Sequence, residues 1–265
     1  MRCTVPVKNP HSDTFISPPQ AMETQRELLS RSHRLLPTMS VCADCFKGVR
    51  HEGEPEGATK TIGGIECYVA TPTGDYSKDK AILFVTDGFG LFLNNKLLAD
   101  DLARNGFYTV VPDLFSGSPA PADAFTRGPD QPAFDFNAWL GQHDREVTRP
   151  ILDSVIPALK NEGIARFAAA GYCFGGRYVF DLAFENILHV SAVSHPSMLV
   201  IPDDLTKYAT SSNAPLLINN CTTDPVFPVS AGEQADAILG GGAFKPDTSA
   251  CSGKGARMDL RFVGI

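Results

Sequence analysis

Gly171-Tyr172-Cys173-Phe174-Gly175-Gly176 sets a thiol at the centre of a glycine-rich turn. The apolar run Phe167 to Ala170 precedes it, and a helical stretch, Arg177 to Phe184, follows. Strand, turn and helix in this order form the context of a nucleophile elbow, G-x-S-x-G, with cysteine where serine usually stands. Such a turn holds its nucleophile in strained backbone, and Gly171 and Gly175 leave room where a side chain would collide. The N-terminus of the following helix and a neighbouring imidazolium are expected to favour the Cys173 thiolate. The competing reading is a small buried cysteine in a turn with no chemical role.

An elbow of this kind needs two N–H donors for the oxyanion of an acyl-transfer intermediate. The first is Phe174, directly after the nucleophile. The second is expected in the loop after the strand Ala81 to Val85, where Thr86-Asp87-Gly88-Phe89-Gly90 offers Gly88. In this arrangement an acid and then a histidine follow the nucleophile in the chain. Asp224 stands beyond the strand Pro215 to Ile218, although an aspartate before a proline is also a common turn former.

These groups must be held by alternating strands and helices. From Gly64 onward, short apolar runs at 81–85, 108–111, 167–170, 189–193 and 215–218 read as strands buried on both faces. Ile65 to Ala70 reads as an edge strand and Leu260 to Val263 as the last one. Helical spacing marks Leu97 to Ala103 and Val147 to Leu159, the second interrupted by Pro150 and Pro157, and Ser230 to Leu239 completes the set. The expectation is one α/β domain over residues 40–265 with a mostly parallel sheet, helices on both faces and chemistry at the carboxyl ends of the strands. The proline-rich segment Ser116 to Pro132 is long enough to shape a binding site. Residues 1–39, broken by five prolines, read as a flexible extension outside this domain.

Composition narrows the function. The 265 residues carry 23 basic and 30 acidic side chains, a net charge of −7, which argues against a general phosphate-backbone binder. No apolar run approaches the roughly 18 residues needed to span a bilayer, so no membrane partner is expected. Seven cysteines, and no charged start followed by an apolar stretch, point to a reducing, cytoplasmic setting. Cys42-Ala43-Asp44-Cys45 is a CxxC, but no second pair follows at zinc-site spacing, so two reduced cysteines are the simpler reading.

Several segments in order resemble the dienelactone hydrolase family, particularly its fungal branch. They are Cys42 with Cys45, His51-Glu52-Gly53, Thr86-Asp87-Gly88-Phe89-Gly90, Val111-Pro112-Asp113-Leu114-Phe115, Gly171 to Gly176, Ser194-His195-Pro196-Ser197 and Thr223-Asp224. The likeness covers roughly residues 42–237. It implies an α/β-hydrolase fold and a Cys-Asp-His triad acting on a small-molecule lactone or ester, without metal or organic cofactor. It assigns the nucleophile to Cys173, the triad acid to Asp224 and an acidic partner of the resting cysteine to Asp87.

In one respect the chain departs from the family pattern. Family members carry the triad histidine in a His-Gly-Phe segment after the last strand. The six histidines here, at 11, 33, 51, 143, 189 and 195, all precede Asp224. Leu260 to Ile265 resembles the strand leading into that segment, so the fold is expected without its last helix, and 247–258 has no family counterpart. His195, after the strand His189 to Val193, is the candidate substitute base, and a pocket-lining role is its alternative. His51 and His143 are expected to be solvated. Three functions stay open: a cysteine-dependent lactone or ester hydrolase, an inactive relative (a small-molecule binder or truncated gene product), and a redox protein built on Cys42, Cys45 or Cys173.

Overall fold

The computed structural model describes residues 52–240, apart from 125, 129 and 222, and the backbone of 258–263. The expected extension at 1–39, the pair Cys42 and Cys45, and His51 lie outside the described residues. So does most of the segment 247–258.

Eight strands form one sheet: β1 (Ala58–Ile62), β2 (Ile65–Ala70), β3 (Lys80–Val85), β4 (Thr109–Pro112), β5 (Arg166–Tyr172), β6 (Leu188–Ser194), β7 (Leu216–Cys221) and β8 (Met258–Val263). Six helices accompany them: α1 (Leu93–Arg104), α2 (Phe136–Gln142), α3 (Arg145–Asn161), α4 (Phe174–Phe184), α5 (Asp203–Ser211) and α6 (Val229–Leu239). The strand order is β1-β2-β4-β3-β5-β6-β7-β8. From β4 to β7 neighbours pair in parallel, while β1, β2 and β8 join antiparallel at the edges.

The parallel strands follow from their side chains. Leu83, Val85, Val110, Phe167, Ala169, Val193, Leu216 and Ile218 are all buried, as strands covered by helices demand. One face packs against α2 to α6 through a large core that includes Leu152, Leu159, Phe180 and Tyr208. The other face carries α1, where Ala99 and Ala103 meet Tyr68, Phe84 and Val111.

The α3 helix runs through both prolines. Asp144 caps its first turn by accepting from the Val147 N–H, and the Ser154 hydroxyl occupies the Pro150 carbonyl. Its apolar stripe, Ile151, Leu152, Val155, Ile156 and Leu159, is buried, and this packing outweighs the two missing N–H donors.

Three expectations are corrected. Ile65–Ala70 is not the edge strand: Ala58–Ile62, exposed except for Ile62, lies outside it, recruited by the tight turn at Gly63-Gly64 rather than by any apolar run. Helices α2 and α5 form where no helix was foreseen. Each is short and buries only two residues, too few apolar positions to mark a helix in the sequence. The strand expected to lead toward a histidine segment runs the other way. Cys221 pairs with Met258 and Leu216 with Val263, so the end of β8 sits at the amino end of β7, opposite the elbow.

Candidate active site

Cys173 leaves β5 and enters α4 with φ +47° and ψ −109°, a conformation that L-residues rarely adopt. The surroundings impose it. A Cβ on Gly171 would lie 2.6 Å from a Val179 methyl, and one on Gly175 would lie 2.0 Å from the Val85 carbonyl oxygen. The turn is further pinned by the Cys173 N–H to the Ser194 carbonyl at 3.1 Å and by the Ser197 N–H to the Cys173 carbonyl at 3.0 Å. Strand, strained cysteine and immediate helix start together bear out the elbow reading of the local backbone.

The thiol is half-buried and points toward the Ser197 hydroxyl, 3.9 Å away. Ser197 is itself buried. Burial is the main force on the thiol, and the Asp87 charge adds to it. Against them work the Ser197 hydroxyl and the Phe174 N–H, and the outcome is a thiol pushed up to about 12. This corrects the expectation of a favoured thiolate. Desolvation and a nearby carboxylate outweigh the helix N-terminus, and no imidazolium stands ready to reverse them.

Asp87 sits in the turn after β3. Its Oδ1 accepts from the Phe89 N–H at 3.0 Å and from the Asn95 amide at 2.9 Å. Burial nonetheless raises its pKa, opposed by these two donors and by His195. Gly88, next to it, is buried, and its carbonyl accepts the Ala120 N–H at 2.8 Å. That bond ties the turn after β3 to the proline-rich segment.

His195 lies directly beyond β6, also at positive φ (+38°), with its N–H bonded to the Asn219 carbonyl at 2.7 Å. Burial lowers its pKa, while the charges of Asp87 and Asp224 pull it back up. The ring is therefore neutral at rest and flanked by both carboxylates. Its centroid stands 6.1 Å from that of Tyr172. No hydrogen bond joins His195 to Cys173 among the described residues. Asp224 is 8% exposed, and its Oδ1 accepts from the Val226 and Phe227 N–H groups at 2.8 and 3.1 Å. It is thus a turn former, as its place before a proline suggested, and its charge also reaches Cys173 and His195.

Cys173, Asp87, His195 and Asp224 therefore converge from the carboxyl ends of β5, β3, β6 and β7. The arrangement has a thiol, an imidazole, two carboxylates and, at Phe174, an N–H directed at the sulfur. These are the parts of acyl transfer. Among the described residues, no three His, Cys, Asp or Glu side chains cluster as metal ligands do.

His143 contradicts its expected solvation. It is 4% exposed, with Nδ1 2.8 Å from the Trp139 carbonyl and Nε2 3.0 Å from the Ser118 hydroxyl. It packs in an aromatic group with Phe115 and Trp139, both of which touch Phe174. The sequence held no sign of this, because Phe115 and Ser118, which help enclose His143, lie well back in the chain and meet it only in three dimensions. Ser197 was also missed as the neighbour of the thiol. Its place two residues after His195 was the available signal.

Residues 65–240 match the profile of the Dienelactone hydrolase family. The chain is 37% identical over 197 residues to "Hydrolase pyvD" of Aspergillus violaceofuscus, covering 74% of this chain and 76% of the relative. It is 33% identical to "Dienlactone hydrolase 1" of Gibberella moniliformis, covering 72% and 73% of the two chains. A structure of a putative dienelactone hydrolase from Klebsiella pneumoniae superposes with a TM-score of 0.53 at 19% identity, over 70% of this chain and 80% of that one. That likeness is one of fold.

Proposed function

The chain belongs to the dienelactone hydrolase family, and within it we propose a hydrolase of lactones or related carboxylic esters whose nucleophile is Cys173. The observation that carries this reading is Cys173 at positive φ between β5 and α4, with Asp87, His195 and Asp224 converging on it. No helix among the described residues is long and apolar enough to cross a membrane. We place the enzyme in the cytoplasm, where a thiol nucleophile stays reduced.

The substrate carbonyl binds with its oxygen toward the N–H groups of Gly88 and Phe174. The Cys173 sulfur forms a bond to the carbonyl carbon as its proton passes to neutral His195. Asp87 and Asp224 stabilise the resulting imidazolium. Collapse of the intermediate expels the alkoxide, which takes the proton from His195. Water then attacks the thioester, again through His195, and releases the acid and the thiol. Because the resting thiol is held protonated, proton transfer and attack are coupled, and stray electrophiles meet a poor nucleophile.

Hydrolysis of an aryl ester and a cyclic enol-lactone by wild type and Cys173→Ala tests this. Wild type is expected to turn both over, and Cys173→Ala to lose activity to background. Residual activity in Cys173→Ala would remove the cysteine mechanism. Inertness of the wild type toward both would favour the inactive relative.

A further inference from the structure

His143 is a buried group to which the hydrolase reading gives no task. Its N–H reaches the Leu140 carbonyl of α2 at 3.1 Å, and its carbonyl accepts the Thr148 hydroxyl of α3 at 3.2 Å. With its backbone fixed by both helices, the imidazole bridges outward. Nδ1 stands 2.8 Å from the Trp139 carbonyl and Nε2 3.0 Å from the Ser118 hydroxyl. Ser118 belongs to the proline-rich segment and is fastened twice more. Its hydroxyl donates to the Phe115 carbonyl at 2.7 Å, and its carbonyl accepts the Trp139 indole N–H at 3.0 Å. A buried imidazole engaged at both nitrogens is held in one orientation.

This clasp reaches the two backbone units to which the hydrolase reading assigns the oxyanion. Just beyond Ser118, the Ala120 N–H bonds to the Gly88 carbonyl at 2.8 Å. The Trp139 ring closes on the same glycine, where a Cβ would lie 3.3 Å from Cη2. Phe115 and Trp139 also rest on Phe174, with ring centroids 5.1 and 5.9 Å apart. Gly88 and Phe174 thus both lean on groups that His143 joins.

We propose that His143 is a positioning residue for acyl transfer: by joining Ser118 to α2, it holds Gly88 and Phe174 at the spacing an oxyanion needs. The inference rests on the hydrolase reading but concerns a residue that does not touch the substrate. Oxyanion contacts strengthen only in the transition state, so a displaced donor lowers kcat and leaves KM nearly unchanged. Misplacement by about 1 Å can cost up to about 10²-fold.

Two measurements on the full chain test it. The first follows hydrolysis of 4-nitrophenyl acetate by wild type, His143→Phe, His143→Gln and Ser118→Ala, with alkylation of Cys173 by iodoacetamide as the control. Phenylalanine keeps the ring packing and loses both polar ends, whereas glutamine can still reach Ser118. Ser118→Ala removes the other end of the contact at an exposed position that folding tolerates. His143→Phe and Ser118→Ala should each lower kcat by about tenfold or more with KM within about twofold, and the double variant should lose no more than the worse single. His143→Gln should recover most of kcat. Alkylation attacks a saturated carbon: an S–C bond forms, iodide leaves and the thiol proton goes to solvent. It raises no oxyanion, so its rate should stay within about twofold in every variant. An unchanged kcat, or equal losses in hydrolysis and alkylation, overturns the proposal, because loosened packing alone would slow both.

The second needs no turnover. Phenyl trifluoromethyl ketone adds reversibly to a thiol: sulfur bonds to the carbonyl carbon, the π pair moves to oxygen, and the thiol proton ends on that oxygen. Trp139 is the single tryptophan of the chain, and its contact with Gly88 and Phe174 lets its fluorescence report the adduct. Wild type is expected to bind the ketone about tenfold more tightly than His143→Phe or Ser118→Ala. If the ester is inert with wild type yet this difference holds, the hydrolase reading fails and the positioning role stands. Equal affinities, or no uptake by wild type, overturn it.

Discussion

Gly175 and Val85 stand so close that the elbow has no room for one more carbon. A Cβ on Gly175 would sit 2.0 Å from the Val85 carbonyl oxygen, 2.6 Å from its carbon and 2.8 Å from the Thr86 oxygen. All three atoms are backbone at the end of β3, and they cannot turn aside as a side chain could. The same contact brings the start of α4 beside the Asp87–Gly88 turn, so one missing methyl sets both the helix position and the distance between Cys173 and that turn.

Gly175→Ala is therefore expected to destabilise the fold by about 3 kcal/mol, since the overpacking must be relieved by moving backbone. Gly141→Ala is the contrast. That position lies inside α2 with open space around it, and alanine there is expected to add about 0.5–1 kcal/mol through helix propensity. Urea midpoints at unchanged slope would report both.

Asp87→Asn removes the charge that, after burial, does most to raise the Cys173 pKa. The thiol of this variant should titrate well below about 12, and its alkylation at pH 8 should speed up by about tenfold. The stability sign is also determined. A carboxylate whose folded pKa is raised favours the fold below its unfolded value of about 3.9 and loses that contribution as pH rises through the folded value. The asparagine variant should lack that slope, and its stability at pH 7 should not fall. A slower-alkylating variant would contradict the role given to Asp87.

His195 has the opposite linkage. Its folded pKa is lowered, so its contribution to stability is complete above the unfolded value of about 6.5 and is lost as pH falls through the folded value. If neutral His195 is the base, kcat/KM should fall on the acid side with an apparent pKa below about 6.5. His195→Gln should lower kcat by about 10²–10⁴-fold and abolish that limb. A profile from pH 4 to 8 that keeps the limb in the variant would reduce His195 to a pocket wall.

Asp181, only 3% exposed, receives Arg177 at 2.8 Å and lies 2.8 Å from Arg145 Nε as an ion pair without hydrogen-bond alignment. Asp181→Ala strips the half-buried Arg177 of one of its two carboxylates and is expected to cost about 3 kcal/mol. Asp153→Ala removes an exposed carboxylate from Arg149, which keeps both of its bonds to Glu185, and should stay within about 0.5 kcal/mol. Thermal unfolding of the two variants side by side would show the difference.

Much of this arrangement was legible in the residues. The elbow could be read because its requirements are local: an apolar strand, small residues at Gly171 and Gly175, and a helix directly behind Cys173 all lie within one short stretch. The five buried parallel strands could be read because burial on both faces leaves continuous apolar runs. The weakly apolar β1, α2 and α5 could not, since other parts of the chain hold them in place.

What tertiary structure alone decided is the state of the groups. Cys173 looked like a thiolate from its helix, but burial and Asp87, brought from β3, hold it protonated. His143 looked like a loop residue, but Ser118 and Trp139 enclose it. His195 was the candidate base from its place in the chain, but only the ends of β3 and β7 set the charges of Asp87 and Asp224 around it. Sequence records what lies next along the chain, whereas charge and solvation act through space, and only the folded sheet sets those distances.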